Sequence, residues 1–173
     1  MTTPTTAESP ALPGLAADRV AALLGWAVAE RASVHLVGPH GIGKTAYVRA
    51  WAEARGLRVV TRSLPVCSQR DFCVPLPVVD PTTGQRQLEV LVLEQLLQTH
   101  EDDRYVLVLD EFSRADRATL NTAMELLQEG TIAGQALPGL AAVVALDNPA
   151  EEGDYVGVVG LDLAQADRVA RLE

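Results

Sequence analysis

The chain has 173 residues, of which 48% are hydrophobic and 21% charged, so it is long enough for one domain with a buried core, and this composition argues against extended disorder. The formal net charge of -9 argues against a general binder of nucleic-acid backbones, because such proteins concentrate Lys and Arg. No stretch approaches the roughly 18 uninterrupted apolar residues of a membrane-spanning helix, so we expect no membrane insertion.

Residues 1–14, rich in Thr, Pro and Ala, are typical of a flexible leader, and 15–173 are predicted to form the folded unit. The leader lacks the basic start and the apolar run of a signal peptide, so we predict a cytoplasmic protein. Cys67 and Cys73 are too few and too loosely spaced for a disulfide framework or a zinc site. They favour two unpaired thiols in a reducing compartment.

The first half of the chain alternates between helical and strand patterns. Apolar residues at helical spacing predict a helix over 15–31, and the apolar run SVHLV predicts a strand over 33–37. A Gly-rich loop then leads into a helical pattern over 45–54, and LRVVTR (57–62) predicts a second strand. The long segment 63–87 is irregular, and its DPTTG indicates a turn between short extended pieces.

The second half continues this alternation. We predict a helix over 88–99 and a third strand over 105–110, YVLVLD. A further helix follows with Asp116 as its N-cap and Gly130 just past its end, and LAAVVAL (140–146) predicts the fourth strand. Continuous apolar strands alternating with helices predict the α/β class, with a mostly parallel sheet covered by helices on both faces.

The loop after the first strand, GPHGIGKT (38–45), fits the P-loop pattern G-x-x-x-x-G-K-[ST]. Glycines let backbone N–H groups surround an anion, and the start of the following helix adds its positive dipole end. Lys44, the only lysine in the sequence, supplies a compact charge for the β- and γ-phosphates, and the hydroxyl of Thr45 can hold Mg²⁺. The predicted ATP-binding residues of this loop are Gly38, Pro39, His40, Gly41, Ile42, Gly43, Lys44 and Thr45.

Polar side chains end the third and fourth strands. Asp110 is the expected second Mg²⁺ ligand, and Glu111 is placed to polarise a water for attack on the γ-phosphate. Asn148, in LDNP, emerges at the same carboxyl edge of the sheet, where it can orient the water or contact the γ-phosphate. A turn Asn before proline is the equally open alternative for Asn148.

In this order and spacing, GPHGIGKT, VLVLDEFSRADRATLNTAMELLQEG, LPGLAAVVALDNP and YVGVVGLDLAQADR resemble AAA+ ATPases of the MoxR-like group, which includes the NorQ/CbbQ and GvpN types. The resemblance implies a core with strand order 5-1-4-3-2, a small helical lid, and hexameric rings that hydrolyse ATP at subunit interfaces. It also implies that Arg168 reaches a neighbour's γ-phosphate, with Arg114 as a weaker interface candidate. Residues 70–87 correspond to a hairpin that the family directs towards the ring pore, with a mere surface loop as the alternative.

The sequence departs from the family pattern at its end. We read LDLAQADRVARLE (161–173) as one short helix with Arg171 on its surface, so no segment remains for a fifth strand or a lid. The expectation is a truncated chain whose sheet has the order 1-4-3-2, with strand 33–37 as an exposed edge. Ser113 also replaces the Asn that the family usually has there.

The resemblance implies a Mg²⁺-dependent ATPase that remodels a protein partner, often one with a von Willebrand factor A domain. The alternative is a truncated ATP-binding scaffold without turnover. The intact Glu111 and Arg168 favour the enzyme, whereas the missing strand and lid favour the scaffold. A DNA-directed loader is disfavoured by the acidity of the chain.

Overall fold

Strands and helices alternate along the chain in its computed structural model, which describes residues 17–92, 103–148 and 170–172. The helices are α1 (Ala17–Glu30), α2 (Lys44–Glu53) and α3 (Arg117–Glu129). The strands are β1 (Ser33–Val37), β2 (Arg58–Ser63), β3 (Cys73–Val79), β4 (Arg86–Val92), β5 (Tyr105–Asp110), β6 (Thr131–Ile132), β7 (Gln135–Ala136), β8 (Leu140–Asp147) and β9 (Ala170–Leu172).

The central sheet has the order β2-β5-β8-β1-β9, and every neighbouring pair is parallel. The α/β class and the predicted order of the first four strands are therefore confirmed. Since all strands run in the same direction, the residues that follow β1, β5 and β8 lie at one edge of the sheet. This edge carries the P-loop, Glu111 and Asn148.

The prediction of a missing fifth strand was wrong. Residues Ala170–Leu172 pair in parallel with β1, with Val34 opposite Ala170 and Leu36 opposite Leu172. β1 therefore lies between β8 and β9, and the end of the predicted helix 161–173 is extended. Residues 161–173 have apolar residues at helical spacing, but the edge of the apolar strand β1 offers unpaired backbone N–H and C=O groups. Pairing with these groups makes Ala170–Leu172 extended. Residues 161–169, which include Arg168, lie outside the described residues.

Helices cover both faces of the sheet, because alternate residues of each strand point to opposite sides. In β5, Val106 and Val108 pack with buried residues of α1 and α2, whereas Leu107 and Leu109 pack with buried residues of α3. All four side chains are fully buried. The continuous apolar character of the strand is thus explained by a core on each side.

The predicted caps of α3 are confirmed. Asp116 Oδ1 accepts hydrogen bonds from the backbone N–H groups of Ala118 (2.8 Å) and Thr119 (3.0 Å). Gly130 ends the helix in the left-handed conformation, with φ 66°, which glycine adopts without steric cost. These two residues fix where α3 begins and ends.

The helix predicted over 88–99 is wrong in its first part. Residues 88–92 belong to β4, which pairs antiparallel with β3 in a separate two-stranded sheet, from Cys73 opposite Val92 to Val79 opposite Arg86. Apolar and polar residues alternate in QLEVLV (87–92), and its valines are β-branched, which suits a strand. Pairing with β3 therefore selects the strand over the helix. Residues 93–99 lie outside the described residues.

β3 and β4 form the hairpin, residues 73–92, around the turn that DPTTG predicted. Asp80 Oδ1 accepts a hydrogen bond from the N–H of Thr82 (2.7 Å), and Gly84 adopts φ 68°. The hairpin exposes four large apolar side chains: Leu76, Val79, Leu88 and Leu91. Cys73, the first residue of the hairpin, and Cys67, which precedes it, are free, as predicted, and burial raises the pKa of both thiols.

Within the described ranges, no helix is long and apolar enough to cross a membrane.

Candidate functional site

The P-loop connects β1 to α2 through two glycines in the left-handed region. Gly41 has φ 78° and Gly43 has φ 87°, values that residues with a Cβ rarely adopt. Gly43 is the N-cap of α2 and makes no side-chain capping bond. The first N–H groups of α2 are thus not capped by Gly43, and such a helix start fits a phosphate group.

Lys44 is the first residue of α2, and its side chain bonds back to the P-loop and stabilises its conformation. Its Nζ donates to the carbonyl oxygens of Gly38 (2.6 Å) and Pro39 (3.0 Å), and to Asn148 Oδ1 (2.9 Å). Partial burial lowers the pKa of the ammonium, while the carboxylates of Asp110 and Asp147 act in the opposite direction. The three donors of the ammonium thus point to oxygens at the carboxyl edge of the sheet.

Thr45 and Asp110 form a pair of oxygen ligands suited to Mg²⁺. Thr45 Oγ1 donates to Asp110 Oδ2 over 2.7 Å, which joins the start of α2 to the end of β5. Mg²⁺ is commonly held by one or two protein oxygens, with substrate phosphates and waters completing its shell. In the parts of the chain that the structure describes, no cluster of three His, Cys, Asp or Glu side chains could hold a metal. The adjacent oxygens of Thr45 and Asp110 fit a two-ligand magnesium site of this kind.

Glu111 follows β5 in a strained conformation. Its φ of 53° and ψ of 48° place a residue with a Cβ in the left-handed region, which is rare outside special sites. Its carboxylate is paired with Arg114, whose Nη1 lies 2.8 Å from Glu111 Oε1. Arg114, a weak interface candidate from the sequence, therefore contacts the predicted base within its own chain.

These segments border one cleft of about 440 Å³. His40, Gly41 and Gly43 line it from the P-loop, and Ser63, at the end of β2, lines it from the opposite side. Ile42 packs against the start of the loop, since a Cβ on Gly38 would lie 3.2 Å from its Cδ1. Predicted site residues that also line the cleft are Lys44, Thr45, Asp110, Glu111 and Asn148.

A buried polar cluster behind the cleft was missed by the sequence reasoning. Asp147 accepts hydrogen bonds from Ser113 Oγ (2.7 Å), from the Ser113 N–H (3.1 Å) and from the Asn148 N–H (3.0 Å). His35 is buried in β1 with its Nε2 3.6 Å from Asp147 Oδ2. The available signals were a carboxylate ending an apolar strand and the unusual Ser113.

A protein-family comparison decides the relationship of the chain. The family described as AAA domain (dynein-related subfamily) matches residues 33–161, which is more than half of the chain. The chain belongs to this AAA domain family. Its β1, P-loop, β5 and β8 all lie inside the matched range. A search of curated proteins found no match.

Solved structures share the fold of this AAA domain at low sequence identity. A protein from Cytophaga hutchinsonii, named only as a candidate ATPase, matches with a TM-score of 0.52 and 20% identity over 90% of this chain and 46% of its own. An arginine-for-lysine variant of Thermotoga maritima RuvB matches with a TM-score of 0.56 and 18% identity over 90% of this chain and 43% of its own. The AAA domain described here thus spans less than half the length of these structures.

Membership of the AAA family makes the chain part of an ATPase family whose members bind nucleotide, typically with Mg²⁺, and typically assemble into rings. The MoxR-like subgroup, the roles of individual residues and the protein partner remain predictions.

Proposed function

We propose that this AAA domain binds ATP with Mg²⁺ and hydrolyses it, as a MoxR-like remodelling ATPase that acts on a protein partner in the cytoplasm. The observation that carries the proposal is the meeting of Lys44, Thr45, Asp110, Glu111 and Asn148 around one cleft. These side chains come from three segments of the chain, and the two outermost residues, Lys44 and Asn148, are 104 positions apart and hydrogen-bonded.

Phosphate binding follows from the P-loop. The backbone N–H groups of residues 40–45, at the start of α2, accommodate the β- and γ-phosphates, and Lys44 exchanges carbonyl partners for phosphate oxygens. The bonds to the Gly38 and Pro39 carbonyls already restrict the Lys44 side chain, so little side-chain freedom is lost on binding. Mg²⁺, when bound by Thr45 and Asp110, neutralises part of the phosphate charge.

Hydrolysis requires a base and a means of placing water. We assign the base to Glu111, which takes a proton from the water as its oxygen attacks the γ-phosphorus and the bond to the β-phosphate oxygen breaks. Asn148, next to Lys44, is positioned to hold the water or the γ-phosphate. Arg114 Nη1 lies 2.8 Å from Glu111 Oε1, so this oxygen must exchange Arg114 for the water before it can accept the proton.

Assembly supplies the last group in this proposal. By resemblance, Arg168 of one subunit enters the cleft of its neighbour and stabilises the charge of the transition state, in a ring that the resemblance makes hexameric. Mixing Arg168→Ala with Glu111→Gln tests this arrangement, since each variant alone lacks one half of every site. If Arg168 acts in trans, an equal mixture should recover about a quarter of the wild-type rate, because half of the sites keep Glu111 and half of the neighbours supply Arg168. No recovery on mixing would contradict a trans arginine.

The hairpin supports a protein as the partner. Its exposed Leu76, Val79, Leu88 and Leu91 offer apolar surface for a polypeptide, whereas the net charge of -9 does not suit nucleic acid. By resemblance, a von Willebrand factor A domain protein is one candidate class of partner.

A second candidate function is an ATP-binding scaffold without turnover. The ion pair between Arg114 and Glu111 favours it, because a base held in this way would not activate water. Both candidate functions include nucleotide binding, but only the first includes ATP hydrolysis.

The direct test of the proposed site measures ATP binding and hydrolysis on wild type, Lys44→Ala and Arg49→Ala. Arg49 is the matched control, because it is an exposed cation on the same helix outside the cleft. We expect Lys44→Ala to lose ATP binding by at least about tenfold and to lose hydrolysis, with Arg49→Ala unchanged. Equal losses in both variants would indicate a general charge effect and contradict the site.

A further inference from the structure

The carboxylate of Asp147 connects several segments behind the cleft. Asp147 is only 6% exposed, ends β8 and accepts three hydrogen bonds, two from Ser113 and one from the backbone of Asn148. Its own carbonyl accepts from the N–H of Gly38 at 3.2 Å, the first residue of the P-loop. One residue thus contacts the P-loop, the turn after β5 and the residue that binds Lys44.

Burying a carboxylate is costly unless its oxygens are hydrogen-bonded, so Asp147 needs these partners to be tolerated. An apolar residue at this position would avoid that cost and could still fill the end of β8. The carboxylate nevertheless faces Ser113, two residues after Glu111, and holds the N–H of Asn148. His35 Nε2, which is also buried, lacks a hydrogen bond and lies 3.6 Å away.

We infer that Asp147 is a positioning residue of the proposed ATPase site, which fixes Asn148 and the turn carrying Glu111 relative to Lys44. It does not contact the reacting atoms in this account. Its oxygens act through Ser113 on one side and through the Asn148 backbone on the other. Ser113 is the second member of this positioning pair, because it uses both its hydroxyl and its N–H.

This role predicts a specific kinetic signature. In either orientation of its amide, Asp147→Asn turns an NH2 group towards a backbone N–H, that of Ser113 or that of Asn148, so Glu111 and Asn148 no longer share one anchor. We expect kcat to fall about ten- to hundredfold, since a displacement of about 1 Å in a catalytic group has that effect. KM for ATP and the Kd for ADP should stay within about threefold, because the P-loop and Lys44 remain.

Variants of Ser113 keep the inference testable if Asp147→Asn folds poorly. Ser113→Ala should lower kcat in the same direction but less, because the N–H bond remains, and Ser113→Thr should restore it through the retained hydroxyl. When Asp147→Asn and Ser113→Ala are combined, their fold-losses in kcat should not multiply, because both residues belong to one hydrogen-bond network. Leu126→Val, buried in α3 outside this pair, controls for loss of stability, and it should lower the melting temperature without lowering kcat per folded chain.

The inference rests on the proposed hydrolysis, and the outcomes separate the two. A wild-type chain that binds ADP without hydrolysing ATP overturns both the proposed function and the role of Asp147. An active wild type whose kcat is unchanged in Asp147→Asn and Ser113→Ala overturns only the positioning role. The same holds if kcat falls in Ser113→Ala and Ser113→Thr alike, or only in proportion to the folded fraction.

Discussion

The carboxyl edge of the sheet and the hairpin are built in opposite ways. At the sheet edge, buried strands end in carboxylates that bond to neighbouring segments, Asp110 to Thr45 of α2 and Asp147 to Ser113 in the turn after β5. The hairpin leaves the main sheet and is held by its own ladder, with one bond from Gln135 Nε2 to the Val90 carbonyl (2.6 Å). Cys73 and Val92 at its base are buried, whereas Leu76, Val79, Leu88 and Leu91 are exposed, with Leu88 72% exposed.

In the proposed function, this difference separates ATP hydrolysis at the sheet edge from partner binding at the hairpin. Phosphoryl transfer depends on groups held in fixed positions, which the packed sheet provides. An exposed two-stranded sheet offers apolar contacts without disturbing that geometry. Pro75 and Pro77, which remove two N–H donors from β3, also limit pairing of its edge with other strands. The comparison can be tested with matched changes in the two regions.

The largest stability effect is expected beneath the cleft. Phe112 is fully buried beside Glu111, so Phe112→Ala should lower the free energy of unfolding by about 3–5 kcal/mol. Leu88→Ala in the hairpin should change it by no more than about 0.5 kcal/mol, because the side chain is already exposed. Urea unfolding of both variants measures the contrast. Similar losses in the two variants would remove the distinction between the regions.

The next effect concerns magnesium. Asp110→Asn removes a charged ligand but keeps the size of the side chain, so the Mg²⁺ concentration needed for half-maximal ATP binding should rise about tenfold or more. Asp18→Asn, an exposed acid of α1, serves as the control and should leave this concentration unchanged. A titration of ATP binding with Mg²⁺ at fixed ATP gives both values. An unchanged requirement in Asp110→Asn would place the metal elsewhere.

A smaller effect is expected at the cap of α3. The N–H of Thr119, its hydroxyl and the N–H of Ala118 lower the pKa of Asp116 below its usual value of 3.8. Because the folded-state pKa is the lower one, the charged cap stabilises the protein above about pH 3.8 and loses this effect as the pH falls through the folded pKa.

Asp116→Ala should therefore lower the melting temperature by a few degrees at pH 6, and the difference from wild type should shrink below about pH 3.8. Asp116→Asn keeps a neutral cap and should lose most of this pH dependence. Melting curves of wild type and both variants, recorded at pH 6 and below about pH 3.8, measure these differences. A constant difference across this range would exclude the charge of Asp116 as the cause.

The smallest effect on the isolated protein is expected in the hairpin. Leu88→Ser and Leu91→Ser should leave basal ATP hydrolysis and melting temperature unchanged, because these side chains contact solvent. They should weaken stimulation by a protein partner, which is measured as the ratio of stimulated to basal rate. A fall in basal rate would mean that the hairpin shapes the cleft and would end the division between the two regions.

Local patterns predicted the main sheet well. β1, β5 and β8 are apolar runs, each followed by specific polar residues, and their parallel order places those residues together. The ends of α3 could be predicted because they depend on local interactions. Asp116 accepts hydrogen bonds from the first backbone N–H groups of the helix, and Gly130 adopts the left-handed conformation at its end. The side chains of Lys44, Thr45, Asp110, Glu111 and Asn148 accordingly border the cleft that their spacing implied.

Features that depend on distant partners were not predicted. Residues 88–92 have helical length, and only pairing with β3 makes them a strand. The segment Ala170–Leu172 is extended because β1 offers an unpaired edge. The hydrogen bonds between Asp147 and Ser113 were not predicted, because the two residues are distant in sequence and no local pattern links them.

The most direct test of the account is the rate of ATP hydrolysis per subunit, measured for wild type and Glu111→Gln over a wide range of protein concentration. We expect the wild-type rate to rise with concentration and reach a plateau, as sites are completed by neighbours, and the Glu111→Gln rate to stay at background while ATP binding persists. ATP binding without hydrolysis in wild type at every concentration, or equal rates in both proteins, would contradict the claim that this cleft hydrolyses ATP.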